Sequence, residues 1–158
     1  MTLEDAPALV DPLGAPRTVR MVRRFNAPPS RVFRCLTDPE ELVRWFPERI
    51  EGSIAVRTRS TLVFPDQRVW WDVAVMENDR RFEFRRPWLP GDAIVTTVSI
   101  AFQPAGYGTL LTVTDGPFDL RVAGALDAYA KACEGWGEAL AWLRGYTDFS
   151  VDLRPRQY

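Results

Sequence analysis

The chain is 158 residues long, 46% apolar and 26% charged, with 20 basic residues, 21 acidic residues and no histidine. That length fits one domain around one core, and a balanced charge creates no field to attract nucleic acid or an anionic membrane. Without imidazole, Ser-His and Cys-His nucleophiles and histidine-ligated metals are excluded, so any catalysis would rest on carboxylates, tyrosine, arginine or bound water.

Residues 1–14 include Glu4, Asp5 and Asp11 but neither a basic start nor a sustained apolar run. Residues 1–16 are therefore expected to be a flexible tail rather than a targeting peptide. Arg17 to Phe25 alternates Val19 and Met21 with arginines and predicts a first strand. Asn26-Ala27-Pro28-Pro29 breaks it, and Val32, Phe33 and Leu36 then recur at helical spacing over Arg31 to Leu36. A second short helix is expected to start at Asp38 as N-cap, with Pro39 at the first helical position and Glu41 placed for a capping box. Leu42, Trp45 and Phe46 form its apolar stripe and Pro47 stops it. Its lack of a polar, basic recognition face argues against a DNA-binding pair.

From Ile54 the period becomes two. Ile54, Val56, Thr58, Ser60, Leu62 and Phe64 share one face, with Arg57 and Arg59 on the other. Arg68 to Met76 presents Val69, Trp71, Val73 and Val75 one way, and Trp70 and Asp72 the other. Arg81 to Arg86 points Phe82 and Phe84 inward, and a Pro-Gly loop carrying Trp88 follows. Ile94, Thr96, Val98, Ile100 and Phe102 alternate, as do Thr109, Leu111 and Val113, and Asp115 is read as a turn residue before Gly116. A meander with one apolar face needs a long cover. The sequence supplies one from Ala123 or Leu126 to Arg144, where Leu126, Tyr129, Ala130, Cys133, Trp136, Leu140 and Leu143 fall on one stripe and Gly145 is the expected stop. The predicted architecture is α+β: a curved antiparallel sheet of six or seven strands wrapped around the long C-terminal helix, with two short helices after the first strand. Residues 17–145 make the single domain and residues 146–158 a C-terminal tail.

Cys35 and Cys133, both in predicted helices, do not make a disulfide framework, and a reducing cytoplasm is the expected compartment. No apolar run approaches the ~20 residues that insert across a bilayer.

Ala27-Pro28-Pro29-Ser30-Arg31-Val32-Phe33, leading into Leu36-Thr37-Asp38-Pro39-Glu40-Glu41-Leu42 and Trp45-Phe46, resembles the opening of the SRPBCC superfamily, also called START-like or Bet v-like. More narrowly it resembles the branch named after the activator of the ninety-kilodalton heat-shock-protein ATPase. Gly106 to Val113 with Gly116 and Phe118, and Gly135-Trp136 with Leu140 and Leu143, are similar to later segments of that branch. The resemblance implies a helix-grip fold with a cavity between sheet and last helix. It carries no catalytic pattern, and relatives include lipid carriers, polyketide cyclases and co-chaperone domains.

The aromatic set Phe64, Trp71, Phe82, Phe84, Phe102, Tyr129 and Trp136, with Cys133, can line a ligand pocket or merely fill the core. Thr58, Ser60 and Thr96 interrupt the apolar stripes and can orient a ligand or bond to backbone. Gly135 and Gly137 bracket Trp136, either thinning the helix for a ligand or permitting close packing. The first expectation is non-catalytic binding of a small apolar or aromatic ligand, without cofactor or metal, by a monomer or homodimer. The alternatives are a chaperone-accessory or stress-response interaction module, favoured by an exposed Trp70 or Trp88, and a polyketide-cyclase-like or dehydratase-like enzyme, favoured by a cavity carboxylate with a raised pKa.

Overall fold

The alternating segments pair into one sheet in the computed structural model, which describes residues 15–88 and 90–156. The expected tail over residues 1–14 lies outside them. In chain order the elements are β1 (Arg17–Phe25), α1 (Pro29–Thr37), α2 (Pro39–Leu42), β2 (Arg49–Glu51), β3 (Arg59–Val63), β4 (Arg68–Glu77), β5 (Arg81–Pro87), β6 (Val95–Ala105), β7 (Gly108–Phe118) and α3 (Ala125–Phe149). The seven strands run in the order β1-β7-β6-β5-β4-β3-β2, each antiparallel to its neighbour. This is the expected helix-grip architecture. Its seventh strand, Arg49–Glu51, is too short to show a period in sequence.

Two strand expectations need correction. The run from Ile54 is not extended throughout: Arg57 takes a left-handed φ of 62°, Thr58 N donates to Ala55 O, and pairing starts only at Arg59. Ile54 is buried, but Val56 is 45% exposed. In β4 the register shifts between Val73 and Val75, so Met76 rather than Val75 faces Phe82 and packs on the core. A bulge of this kind swaps the face of every later residue.

Asp38 caps α2 by accepting from Glu40 N at 3.0 Å. Glu41 does not close a capping box. It pairs with Arg31 at 2.9 Å and accepts the Tyr146 hydroxyl at 2.5 Å, tying both short helices to α3. Trp45 donates its indole N–H to Cys35 O at 2.9 Å and fixes the same corner from inside.

The buried stripe of α3 is Ala125, Ala128, Ala132, Trp136, Ala139 and Leu143, with Leu140 beside it. It is turned from the expected stripe, since Leu126 is 57% exposed, Ala130 is exposed, and Tyr129 and Cys133 are half-buried. Alanines at the contact let the helix approach the sheet closely, and α3 packs mainly on β1 and β7. Gly145 does not stop the helix, which ends at Phe149 with Ser150 in the left-handed conformation. A Cβ at Gly145 would lie 2.6 Å from Leu153 Cδ1, so this glycine admits the returning chain. Residues 146–149 complete α3 instead of starting a tail, and the chain is tied back at two points: Asp148 accepts from Asn26 N and Ala27 N, and Arg154 donates to the carbonyls of Val43, Arg44 and Pro47.

Gly137 lies mid-helix, and a Cβ there would meet nothing within 4 Å. Gly137→Ala is thus expected to raise stability by about 1 kcal/mol, because helical glycine carries an entropic penalty and nothing blocks the methyl group. Urea melts of the two proteins check this, and a loss of stability would show a close contact on that face.

Candidate functional site: a cavity between sheet and helix

α3 sits close to β1 and β7, and a gap remains between it and the β4–β5 side of the sheet. The gap is a cavity of about 1310 Å³, reaching from Trp71 and Phe84 on the sheet to Gly135, Trp136, Ala139 and Trp142 on α3. Phe46, after α2, and Phe64, after β3, close one side, while Asp152, Arg154 and Arg156 stand at the rim. The aromatic wall is ordered: Trp71 stacks on Phe84 at 4.0 Å between centroids, and Phe46 meets Phe64 edge-on at 5.1 Å. Rings held this way present a rigid apolar surface with little side-chain entropy left to lose on binding.

One end of the cavity is polar. Continuing the inward alternation of Phe82 and Phe84 along β5 brings Arg86 to the cavity wall. Its guanidinium lies 3.6 Å from the centroid of the Trp88 ring, and Nε and Nη2 donate to Pro87 O at 3.3 and 3.2 Å. Arg86 is half-buried because it faces the cavity, yet it is deep enough that desolvation lowers its pKa to about 10, with the charge of Asp115 acting the other way. It remains a cation at neutral pH.

Behind this wall a buried chain of hydrogen bonds holds two indoles. Trp88 Nε1 donates to Thr96 Oγ1 at 2.7 Å, Thr96 donates to Asp115 Oδ1 at 2.5 Å, and Trp136 Nε1 donates to Asp115 Oδ2 at 2.8 Å. Asp115 is not the expected turn residue. It lies within β7, in phase with Leu111 and Val113, and is fully buried. Burial raises its pKa, while the bonds from Thr96 and Trp136 and the charge of Arg86 oppose that rise. A general base must reach the proton that it takes. Asp115 is sealed from the cavity and accepts a hydrogen bond at each oxygen, an arrangement that positions Trp88 and Trp136 instead.

Of the residues singled out in the sequence, Phe64, Trp71, Phe84 and Trp136 meet on the cavity wall. Phe82 and Phe102 lie off it in the core, Phe82 against Phe84 and Phe102 edge-on to Phe33. Tyr129 packs on Phe118 at 5.7 Å, and Tyr129 and Cys133 are half-buried away from the cavity. Thr58 precedes β3, off the wall, and Ser60 is buried with no hydrogen-bond partner for its hydroxyl among the described residues. Thr96 supports the wall from behind. Gly135 borders the cavity, and a Cβ there would meet nothing within 4 Å, so close packing does not explain this glycine. Arg86 was missed although its parity with Phe82 and Phe84 was a usable signal; Trp142 and Ala139 were missed because the helical stripe was set slightly off.

Trp70 and Trp88 are half-buried rather than exposed. Trp70 lies under the Arg59 guanidinium at 4.1 Å and donates to Asp92 at 3.0 Å. Among the described residues no group of three or more Cys, Asp or Glu side chains is placed to hold a metal, and no helix is long and apolar enough to cross a membrane.

Residues 26–148 match the model of the family described as activator of Hsp90 ATPase homolog 1-like protein. No curated protein matches the chain. Among solved structures, protein MLL2253 from Mesorhizobium loti superposes with a TM-score of 0.74 at 23% identity, over 87% of this chain and 100% of that one. The Aha1 dimer from Colwellia psychrerythraea gives 0.73 at 15% identity over 84% and 97%. CalU16 from Micromonospora echinospora gives 0.67 at 22% identity over 88% and 81%. At such identities these likenesses speak for the fold alone.

Proposed function

The chain belongs to the activator of Hsp90 ATPase homolog 1-like family, and from that premise we propose that it is a non-catalytic binder of a small apolar or aromatic molecule held between the sheet and α3. The observation that carries this is the cavity itself. Phe64, Trp71, Phe84 and Trp136, foreseen from the strand and helix patterns, are among its lining, Phe64 half-buried and the other three buried. Its volume of about 1310 Å³ accommodates a small organic ligand. The enzyme alternative draws on the raised pKa of Asp115, but that carboxylate is enclosed and already bonded at both oxygens. The interaction-module alternative rests on another face, where Phe149 and Leu153 are 63% and 49% exposed at the end of α3.

The test uses N-phenyl-1-naphthylamine, a neutral apolar dye. Wild type is expected to bind it at one site with enhanced dye fluorescence. Gly135→Leu should weaken binding by about 10-fold, because the new side chain enters the cavity, and should keep or raise the melting temperature, because leucine is the better helix former. Absence of binding by wild type, or unchanged binding by Gly135→Leu, would move the function to the exposed C-terminal face.

A further inference from the structure

The cavity is lined by aromatic rings and by charged side chains of both signs, among them Glu48, Asp66, Asp92, Glu138 and Asp152, and the basic residues around it are not alike. Arg68 pairs with Glu51, Lys131 with Asp127 at 3.0 Å and Arg154 with Asp152 at 2.7 Å, each outside the aromatic wall. Arg86 is different. It projects from the inner face of β5, its Nε and Nη2 reach only the carbonyl of its neighbour Pro87, and Nη1 has no acceptor among the described residues. Nor does any described carboxylate lie within ion-pair distance. Asp115, the acidic group behind it, is occupied by Thr96 and Trp136.

A half-buried guanidinium with no carboxylate at ion-pair distance gains more from an incoming anion than a paired surface cation can. Resting on the Trp88 ring, itself anchored through Thr96, this fork has little freedom to lose. Its planar donors match the two oxygens of a carboxylate. A dianion such as phosphate suits the place less well, since one cation cannot balance it and Asp115 adds negative potential behind. Resting on the ligand-binding function proposed above, we propose that the cavity takes a monocarboxylate with an apolar aromatic body, the ring lying among the half-buried rings of Phe46, Phe64 and Trp142 and the carboxylate against Arg86.

Two probes of nearly equal shape separate charge from fit: 2-naphthoate and its neutral amide, 2-naphthamide, titrated by calorimetry at pH 7.5 with N-phenyl-1-naphthylamine as the neutral reference. Wild type is expected to prefer the naphthoate by about 10- to 100-fold, the range of one hydrogen-bonded charge contact. Arg86→Gln should bring that ratio near one, the neutral dye titrated alongside measuring any change in the cavity itself. Arg86→Lys, which keeps the charge but not the fork, should retain part of the preference, and provides the comparison if the glutamine variant folds poorly. Equal affinity of wild type for both probes, or a preference that survives Arg86→Gln, would overturn the carboxylate assignment even where the dye still binds. Failure of all three probes to bind would overturn the cavity function as well.

Discussion

Trp136→Ala is expected to lower stability by about 3–5 kcal/mol, the range for removing a buried tryptophan. The ring is 7% exposed, spans the space between α3 and the sheet, and donates to Asp115 at 2.8 Å. Its loss both enlarges the cavity and deprives Asp115 Oδ2 of its donor. Trp136→Phe separates these effects. It keeps an aromatic wall and most of the volume, so its cost should be about 1–3 kcal/mol, chiefly for the lost hydrogen bond to a buried acceptor. Urea unfolding of the three proteins gives the differences, and titration with N-phenyl-1-naphthylamine shows whether the phenyl variant still closes the site. A cost below about 1 kcal/mol for Trp136→Ala would mean that the indole packs loosely.

Asp115→Ala should cost about 3 kcal/mol, because it strands two donors, the Thr96 hydroxyl and the Trp136 indole, each worth about 1–3 kcal/mol when buried without a partner. Asp115→Asn retains an acceptor and the shape, and should cost about 1 kcal/mol at neutral pH. The pH dependence has a definite sign. Burial raises the native pKa of Asp115 above its ordinary value of 3.8, so the native state binds the proton more tightly than the unfolded chain. Stability contributed by this group is complete below the unfolded pKa and is lost as pH rises through the native pKa. The asparagine variant lacks that loss. Its deficit relative to wild type should therefore be larger at pH 4 than at pH 7.5. An equal deficit at both values would show that Asp115 titrates alike in the folded and unfolded chain.

Arg86 and Asp115 illustrate one limit of reading a linear chain. Both follow the alternation of their strands, Phe82-Phe84-Arg86 and Leu111-Val113-Asp115, yet a charged residue at the end of an apolar stripe resembles a strand terminus. The pairing decides otherwise: Pro87 is still opposite Val95, and Asp115 is still opposite Val98. Thr96 likewise interrupts its stripe because its hydroxyl links Trp88 to Asp115, residues far from one another in the chain.

Side-chain periodicity by itself determined most of the architecture, the antiparallel strands from β3 to β7, the long helix and the two short helices, since a period of two or 3.6 follows from backbone geometry and is local. It also brought out Phe64, Trp71, Phe84 and Trp136 as candidates for one wall. Only the tertiary structure decided that Phe82 and Phe102 fill the core instead, because that depends on which part of the sheet α3 covers. The alanines at positions 125, 128 and 132 draw the helix toward β1 and β7, so that the cavity opens on the β4–β5 side, with Trp71 and Phe84 among its buried lining at 3% and 0% exposure. The same separation between helix and sheet leaves Arg86 facing the cavity without a carboxylate partner among the described residues, a relation between elements that no spacing along one of them contains.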